Sequence, residues 1–403
     1  MDKNRRDAYF EQLTTTLKNY QRAIPCLLID LDIIDENLTV LTSELKTGVD
    51  FRIVVKSLPS LSLINYIREK MNTDKLMVFH QPFLSDLSST LDQRADVLLG
   101  KPMPIRTAQY YYKTLPKLKN DFDPYRQVQW LVDTEARIFQ YISLAQKLGK
   151  RLRLNLELDV GLHRGGFKNL GELRKGLKLM HTHIEAVAFS GFVGYEPHIV
   201  KIPKFIRRHE KSLKMSNSFY ASCQQIVQKE FPELWSNTLT FNGAGSPTLN
   251  LHQTEASPLN DISAGSCLVK PTTFDIPSLN KFKPACFIAT PVLKKFQGTT
   301  LPGLERMKPL LNRVNPRYSQ SFFIYGGYWK ADYHYPKGTK QNSVFGASTN
   351  QTMVNTPASA KLGVDDFVFL RPHQSEFVFL QFGELLVVKG KQIVDKWGLL
   401  SNR

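Results

Sequence analysis

The chain has 403 residues, of which 42% are hydrophobic and 11% aromatic, so it can bury a large core. Its 23 glycines and 22 prolines are ordinary usage, which excludes a collagen-like or low-complexity chain. Lysine and arginine total 53 against 36 aspartates and glutamates, a net charge of +17. The basic residues are scattered and form no recognised nucleic-acid-binding module, so we interpret them as solvated surface.

Four cysteines, Cys26, Cys223, Cys267 and Cys286, lie far apart in the sequence. Their spacing matches neither a disulfide framework nor a thiolate metal site, so we expect small core residues. The N-terminal segment has no apolar signal-peptide region, and no run approaches the roughly 18 apolar residues that span a bilayer. We therefore expect a cytoplasmic protein with no membrane partner.

Short apolar runs alternate with amphipathic stretches from residue 51 onward, which predicts repeated strand and helix units. The eight predicted strands are Phe51–Val55, Leu76–Phe79, Val97–Leu99, Val128–Val132, Leu152–Leu158, Ile184–Phe189, Thr238–Phe241 and Ile262–Val269. Helices are predicted between them over Leu61–Met71, Thr134–Leu148 and Asn217–Lys229. Eight strands in alternation with helices predict an α/β fold, the parallel (β/α)8 or TIM-type barrel.

After about residue 271 the sequence pattern becomes all-β. Predicted strands there are Ala285–Leu293, Ser321–Tyr325, Asp366–Leu370, Glu376–Phe382 and Glu384–Val388. We therefore expect a barrel domain over residues 25–270 and a C-terminal β domain over 271–403, which the N-terminal segment 1–24 joins. A further apolar run, Cys26–Leu31, precedes the barrel strands and either pairs with the β domain or leads into the barrel.

A lysine follows the first predicted barrel strand. The carboxyl ends of the strands carry the active site in barrels of this kind, so residues there are the first candidates. Lys56 comes directly after a run of apolar residues. Burial disfavours the charged form of an amine, and an uncharged lysine can attack carbonyl groups. A lysine that only extends from the barrel rim is the alternative, and position alone leaves both open.

A glycine-containing turn, NGAGSPT, follows the seventh predicted strand. Gly243 and Gly245 let the backbone approach an anion, while Ser246 and Thr248 offer hydroxyl and N–H donors. Loops after strands seven and eight commonly hold phosphate in barrels. We therefore predict a phosphate site here, with a plain glycine turn as the alternative.

The fifth and sixth predicted strands end in ionisable residues. These are Glu157, Asp159, His163 and Arg164 after the fifth strand, and Tyr195, Glu196 and His198 after the sixth. A phenol and an imidazole at the same mouth can serve acid–base chemistry. Each residue alone is compatible with a structural role, but four strand ends that face one mouth favour a functional site.

Six short motifs run in order along nearly the whole chain. They are PCLLIDLDIIDENL (Pro25–Leu38), FRIVVKS (Phe51–Ser57), LELDVGLHRGG, GFVGYEPH, NGAGSPT and RPHQSE (Arg371–Glu376). Together they resemble the D-threonine aldolase and D-serine dehydratase family of pyridoxal-phosphate enzymes. The resemblance implies an alanine racemase-like N-terminal barrel, a C-terminal β domain and pyridoxal 5'-phosphate as the cofactor.

The resemblance also implies a role for each matching residue. Lys56 would form the internal aldimine with pyridoxal phosphate. Four loop residues, Gly243, Ala244, Gly245 and Ser246, would hold the phosphate. Arg164 would face the pyridine nitrogen, which weakens the ring as an electron sink and suits limited carbanion chemistry. Tyr195 matches the tyrosine near the cofactor, and His198 is a candidate base toward a substrate β-hydroxyl.

The sequence departs from the family at the metal site. In the aldolases and dehydratases, a His and, two residues on, an Asp or Cys of the β domain bind a divalent metal, manganese or zinc. Here these positions are His373 and Ser375. A neutral hydroxyl is a poor divalent ligand, and Glu376 is expected on the opposite face of a strand. The sequence therefore leaves metal binding at His373 open.

The resemblance predicts a homodimeric lyase for a small-molecule substrate, a D-configured β-hydroxy amino acid, which it would cleave as an aldolase or dehydrate. An amino-acid racemase is the first alternative, since Tyr325, Tyr328 and Tyr333 are available as a second base. A non-catalytic pyridoxal-phosphate carrier is another, although a carrier needs no β domain. Nucleic-acid binding, suggested only by the net charge, would show as a salt-dependent gel shift.

Overall fold

The computed structural model describes residues 3–20, 22–115, 120–203, 205–254, 256–300, 302–303, 305–307 and 320–401. By its contacts the chain forms two compact units. The first, here called the sheet unit, contains Met1–Asn37, Leu268–Asp275 and Phe282–Leu399. The second, the barrel unit, contains Leu38–Cys267, Ile276–Lys281 and Leu400–Arg403. Residues 25–37, which the sequence boundaries put with the barrel, therefore belong by contact to the sheet unit.

The helices and strands of the described residues follow in chain order. The helices are α1 (Lys3–Lys18), α2 (Leu31–Glu44), α3 (Leu61–Met71), α4 (Gln81–Ser88), α5 (Ile105–Thr114), α6 (Pro124–Gln127), α7 (Glu135–Leu148), α8 (Leu170–Thr182), α9 (His198–Lys201), α10 (His209–Glu230), α11 (Ser266–Val269) and α12 (Ser375–Val378). The strands are β1 (Cys26–Asp30), β2 (Asp50–Val54), β3 (Lys75–Val78), β4 (Asp96–Leu99), β5 (Val128–Val132), β6 (Leu152–Glu157), β7 (Val187–Gly194), β8 (Thr240–Gly243), β9 (Asp261–Ala264), β10 (Cys286–Gln297), β11 (Gln320–Tyr325), β12 (Ala331–Tyr335), β13 (Lys340–Gln341), β14 (Gln351–Thr356), β15 (Phe367–Pro372), β16 (Glu384–Lys389) and β17 (Gln392–Gly398).

Local sequence signals explain where several barrel helices begin and end. The Thr134 hydroxyl accepts the N–H of Arg137 at the start of α7, and Gly149 ends that helix in a left-handed conformation. The Asn169 side chain accepts the N–H of Glu172 at the start of α8. These caps fix the two helices directly before β6 and β7.

The barrel unit contains, among its described residues, a closed barrel of eight strands in the order β2 to β9. Neighbouring strands are parallel, and β2 pairs with both β3 and β9, which closes the ring. The residue partners at this closure run from Asp50 with Asp261 to Ile53 with Ala264. The predicted TIM-type barrel is confirmed.

A buried ion pair lies across the closure of the barrel. The guanidinium of Arg52, on β2, is fully buried and donates to the Asp261 carboxylate on β9 through Nε at 2.9 Å and Nη2 at 2.8 Å. Its Nη1 donates to the carbonyl oxygens of Leu76 and Asp96, on β3 and β4. Burial opposes the charge, but the carboxylates of Asp261 and Asp96, both paired with the guanidinium, raise the pKa of Arg52. The residue therefore stays cationic.

Polar side chains extend this ion pair into a network inside the barrel. Gln129, on β5, donates to the hydroxyl of Thr240, on β8, at 3.1 Å. Asn242, also on β8, donates to Asp261 and to the Ser263 hydroxyl at 2.5 and 2.7 Å. Because β5 and β8 are not neighbours in the barrel, their side chains can meet only across its interior. The interior is therefore tied together by hydrogen bonds as well as by apolar packing.

The sheet unit contains a sheet of nine strands among its described residues. Its main path runs β13, β14, β11, β10, β1, β16, β17, while β15 pairs with β10 and β12 pairs with β15. The early strand β1 is antiparallel to β10 and parallel to β16. The run Cys26–Leu31 therefore pairs with the β domain, which decides between its two alternatives.

One predicted strand is wrong and another is wrong in part. The run Glu376–Phe382 is the short helix α12 followed by a 3-10 turn, Phe379–Gln381. The run Ile262–Val269 is a strand only as far as Ala264 and then forms α11. Both errors have one cause, because a short apolar run does not by itself distinguish a buried strand from a buried helical turn.

The cysteines are small core residues, as expected. Cys223, Cys267 and Cys286 are buried, Cys26 is half-buried, and the described part of the chain contains no disulfide. No helix among the described residues is long and apolar enough to cross a membrane.

We predict that Arg52→Leu lowers the free energy of unfolding by about 3–5 kcal/mol, because the buried Asp261 carboxylate loses its guanidinium partner and keeps only the longer ion-pair contact with Lys75, at 3.4 Å. Urea unfolding followed by circular dichroism measures this loss. Arg174→Leu is the matched control: it removes an exposed ion pair with Glu230 and should change the same quantity by about 0–1 kcal/mol. A loss no larger than the control's would contradict a central role for the buried pair.

Candidate active site

The candidate carbonyl-reactive lysine lies directly after β2. Lys56 is the middle residue of a 3-10 turn, Val55–Ser57, and is half-buried. Its Nζ atom lies 4.3 Å from the centroid of the Phe79 ring, and Phe79 directly follows β3. The contact between amine and ring holds Lys56 at the carboxyl ends of two adjacent barrel strands.

Two serines join this turn to the segment after β9. The Oγ atoms of Ser57 and Ser266 are 2.9 Å apart, so one hydroxyl donates to the other. Gly265, between β9 and α11, packs so closely that a Cβ atom there would lie 2.8 Å from the carbonyl oxygen of Val54. A larger residue would separate the two segments, so glycine at this position fixes the lysine turn against the end of β9.

The glycine loop, defined here as residues 243–246, is buried and follows β8. Ala244 adopts a left-handed φ of 57°. The Ser246 hydroxyl accepts the N–H of Cys267 at 3.0 Å, so its own proton can be donated to a further acceptor. The loop is thus anchored to the same β9–α11 segment that contacts the lysine turn.

The backbone of the glycine loop lies directly against an aromatic ring. A Cβ atom at Gly245 would be 2.7 Å from Cε2 of Tyr195, and one at Gly243 would be 2.8 Å from the carbonyl oxygen of Gly194. Arg164 places its guanidinium carbon 5.4 Å from the centroid of the Tyr195 ring. The loop, the tyrosine and the arginine are therefore neighbours.

A buried carboxylate holds the glycine loop in place. Glu196 accepts the N–H of Ala244 at 3.1 Å and the hydroxyl of Thr248 at 2.6 Å. The Nε2 atom of His252 lies 3.5 Å from the same carboxylate. The sequence interpretation placed Glu196 at the mouth but gave it no role. The structure makes it a positioning residue, and its place next to Tyr195 in the sequence was the available signal.

The loop after β6 is shaped around Asp159. Its carboxylate accepts the N–H of Gly161 at 3.1 Å and of His163 at 2.8 Å, and lies 3.0 Å from Nδ1 of His163. Burial opposes the charge, but these hydrogen bonds outweigh it and lower the pKa of Asp159. The carboxylate therefore stays ionised and orders the loop that carries Arg164.

His198 is buried beside the same loop. Its Nε2 lies 3.0 Å from where a Cβ atom of Gly161 would be, and its Nδ1 has no hydrogen-bond partner among the described residues. Burial, His163 and Arg207 lower the pKa of His198, while Glu196 and Asp159 oppose this. The ring is therefore neutral near pH 7, and an uncharged imidazole can accept a proton.

These contacts bring most of the predicted site residues together. The glycine loop touches Tyr195, Tyr195 lies under Arg164, and Ser246 and Ser57 connect the loop to the turn of Lys56 through the segment after β9. His198 contacts Gly161, in the loop after β6. The predicted metal residue His373 belongs to the sheet unit.

The predicted metal residue, His373, pairs with a carboxylate that the sequence interpretation did not consider. The Nε2 atom of His373 lies 3.0 Å from Oδ1 of Asp332, on the neighbouring strand β12. Ser375 is the first residue of α12 and is buried, and its hydroxyl has no hydrogen-bond partner among the described residues. The described residues also contain no group of three or more His, Cys, Asp or Glu that could hold a metal. The sequence interpretation missed Asp332.

The barrel defines a class of protein. A closed parallel eight-stranded barrel of this kind is that of the alanine racemase-like family, which binds pyridoxal phosphate. The chain belongs to the alanine racemase N-terminal domain family, whose model matches residues 29–271. The resemblance drawn from the motifs is thereby confirmed.

Solved structures share this fold over nearly the whole chain. The D-threonine aldolase from Filomicrobium marinum has 14% identity and a TM-score of 0.68, covering 93% of this chain and 96% of its own. The D-threo-3-hydroxyaspartate dehydratase from Delftia sp. HT23 has 12% identity and a TM-score of 0.69, covering 94% of this chain and 98% of its own. The alanine racemase from Bacillus anthracis with bound L-Ala-P has 13% identity and a TM-score of 0.67, covering 94% of this chain and 98% of its own. At such identities the likeness is one of fold. Curated protein sequences give no match.

We predict that His198 makes the folded state sensitive to acid. Because the folded pKa is lowered, the unfolded chain takes up a proton first, so stability falls as pH drops below the ordinary histidine value of roughly 6.5. His198→Gln should remove part of this fall, measured by urea unfolding at pH values above and below that value. Equal pH dependence in the wild type and in His198→Gln would contradict the prediction.

Proposed function

We propose that the protein is a pyridoxal-phosphate-dependent lyase that acts on a D-configured β-hydroxy amino acid. The observation that carries the proposal is the chain of contacts joining Lys56, the glycine loop, Tyr195 and Arg164 at the carboxyl ends of the barrel strands. An amine, an anion-binding loop and an aromatic ring side by side are what a phosphorylated aromatic aldehyde requires. The likeness to a D-threonine aldolase and a hydroxyaspartate dehydratase supports the substrate class.

The residues of the glycine loop suit a phosphate. Side chains at Gly243 and Gly245 would collide with neighbouring atoms, so the backbone at these two positions stays uncovered by Cβ atoms, while the N–H of Ala244 donates to Glu196. The Ser246 hydroxyl can donate to a phosphate oxygen while it accepts from Cys267. These residues would hold the phosphate, Lys56 would bind the aldehyde carbon, and Arg164 would face the pyridine nitrogen. When bound, the cofactor supplies an electron sink for a carbanion next to the amino group.

The chain's own residues would handle the substrate protons. His198 is neutral and buried, and its Nδ1 has no partner among the described residues, so it can accept the proton of a β-hydroxyl. Glu196 would act indirectly, because its carboxylate fixes the glycine loop by accepting hydrogen bonds from Ala244 and Thr248. The Asp159 loop would hold Arg164 in place.

A racemase is the second candidate, because alanine racemases share the fold. It would need a further base, and the sheet unit presents exposed tyrosines at Tyr325 and Tyr328. The third tyrosine considered, Tyr333, suits this role less, since burial raises its pKa to about 12. Exchange of the α-hydrogen of D-alanine with solvent deuterium, without release of aldehyde or ammonia, would favour the racemase. We also propose that the protein is a homodimer and that it is located in the cytoplasm.

We predict that Lys56→Ala abolishes both the visible absorbance of lysine-bound pyridoxal phosphate and the turnover of D-threonine. The control is Lys101→Ala, which removes another lysine that closely follows a barrel strand, β4, and should keep both. Spectra of the purified proteins and assays for released aldehyde and ammonia measure the outcome. Aldehyde would indicate an aldolase, and ammonia a dehydratase. An unchanged spectrum and rate in Lys56→Ala would refute the proposal.

We predict that Gly245→Ala weakens pyridoxal-phosphate binding at least about tenfold, because the added Cβ would force the loop or the Tyr195 ring to move. Titration of the cofactor-free protein, followed by absorbance, gives the dissociation constant. Gly383→Ala serves as the control, since a Cβ atom there meets no neighbour within 4 Å. Equal affinities in the two variants would show that the loop does not bind the cofactor.

A further inference from the structure

A buried histidine, His252, lies close to the glycine loop in the barrel unit. It ends the 3-10 turn Leu249–His252, which begins directly after Thr248, and it is 2% exposed. The N–H groups of Thr248 and Leu249 donate to the carbonyl oxygen of Gly245 at 2.9 and 3.0 Å. The turn that carries His252 is therefore a direct continuation of the glycine loop.

The two nitrogen atoms of the His252 ring face different groups. Nδ1 lies 2.9 Å from the hydroxyl oxygen of Ser257. Nε2 is buried, has no hydrogen-bond partner among the described residues and lies 3.5 Å from Oε1 of Glu196. This distance exceeds that of an ordinary N–H···O hydrogen bond, so the contact is mainly electrostatic. Because Glu196 is buried too, the imidazole and the carboxylate meet away from solvent, where such a contact is strong.

Ser257 favours a ring proton on the side of the carboxylate. Its hydroxyl oxygen accepts the N–H of Leu259 at 3.4 Å, so its own proton is available to donate to Nδ1 of His252. A neutral imidazole that accepts at Nδ1 carries its proton on Nε2, the nitrogen that faces Glu196. Leu259 also packs against the glycine loop, since a Cβ atom at Gly243 would be 2.7 Å from its Cδ1. The residues that orient the ring thus contact the loop as well.

Glu196 gives this proton a purpose. Its carboxylate fixes the loop by accepting from the Ala244 N–H and the Thr248 hydroxyl, but a buried negative charge beside an anion-binding loop also repels the anion. Within the part of the chain that the structure describes, His252 is the only ion-pair partner within 4.0 Å of Glu196. The Nε2–H group therefore supplies the positive end of a dipole that faces this carboxylate.

We propose that His252 is a positioning residue for phosphate binding and that it acts through Glu196. Its Nε2–H holds the carboxylate and offsets part of the negative charge, so the loop that Glu196 fixes can accept a phosphate group. His252 itself needs no contact with the phosphate. The inference rests on the proposed function in one respect, that the phosphate is the one of pyridoxal phosphate.

Two variants separate the two sides of the ring. In His252→Gln the amide nitrogen lies near the position of Nε2 and can donate to Glu196, whereas in His252→Asn it lies near the position of Nδ1 and can reach only Ser257. We expect His252→Asn to weaken pyridoxal-phosphate binding at least about tenfold and His252→Gln to stay within about threefold of the wild type. Titration of the cofactor-free, full-length proteins at constant pH, followed by absorbance, gives the dissociation constants.

Pyridoxal has the same ring and aldehyde but no phosphate, so it distinguishes an effect on phosphate binding from a general loss of structure. Both His252 variants should bind pyridoxal as the wild type does. His183→Asn is the matched control: this half-buried ring contacts the carbonyl oxygen of Leu179, in α8, through Nδ1 at 3.0 Å. It should leave the affinities for both compounds unchanged.

A double-mutant cycle tests whether His252 acts through Glu196. Glu196→Gln removes the negative charge but keeps an oxygen that can accept the Ala244 N–H. In the Glu196→Gln background, His252→Asn should change the affinity for pyridoxal phosphate by less than about twofold. A full loss of affinity in that background would show that His252 acts by another route and would overturn the inference.

Two further results would overturn it. Equal affinities of the wild type and His252→Asn for pyridoxal phosphate would show that Glu196 needs no partner. Parallel losses for pyridoxal and pyridoxal phosphate would show a merely structural role. Circular dichroism checks the fold, and if His252→Asn does not fold, NMR of the histidine ring nitrogens in the wild type decides. A His252 proton on Nε2 would support the inference, and a proton on Nδ1 alone would refute it.

The outcomes for His252 and for the lyase are distinguishable. A wild type whose affinity for pyridoxal phosphate depends on His252, but which does not turn over D-threonine, would contradict the lyase proposal and leave this inference intact. Turnover of D-threonine with an affinity that is independent of His252 would do the reverse. A wild type that does not bind pyridoxal phosphate would overturn both.

Discussion

The ion pair between Arg52 and Asp261 joins the first and last strands of the barrel, and the candidate site depends on that join. Lys56 follows β2 within two residues, and the segment that anchors the glycine loop follows β9. The guanidinium also donates to backbone oxygens of β3 and β4, so one side chain of β2 is hydrogen-bonded to three further strands. A charge buried this deeply tolerates few arrangements, because leaving any partner unpaired is costly. The buried ion pair therefore fixes the positions of the strand ends that carry Lys56 and the anchor of the glycine loop.

At the mouth of the barrel, a buried carboxylate likewise holds a loop in one arrangement through its hydrogen bonds. Glu196 is buried and is satisfied by the Ala244 N–H and the Thr248 hydroxyl, so the glycine loop keeps one conformation. A left-handed alanine at position 244 is unfavourable by itself and persists because these contacts determine it. Preorganisation of this kind lets a loop bind an anion without a further loss of conformational entropy.

The sequence predicted the barrel because its strands are apolar runs in regular alternation with helices. It also predicted which strand ends carry Lys56, Tyr195 and the glycine loop, since position along a barrel strand is enough to place a residue at the mouth. It did not predict the polar interior, because Arg52 reads as an ordinary charge within a strand. Asp332 was missed because its partner is brought close only by the pairing of β12 with β15. Cross-strand neighbours far apart in sequence leave no local signal.

The place of β1 within its sheet constrains how the chain can fold as it is synthesised. This strand lies between β10 and β16, which follow it in the chain by about 255 and about 350 residues, so it is synthesised well before either neighbour. The barrel strands, by contrast, occupy one continuous stretch and can close earlier. Strand β1 therefore keeps both edges unpaired until β10, its first partner in chain order, has been synthesised about 255 residues later. During that interval the unpaired edges of β1 are open to pairing with a wrong strand.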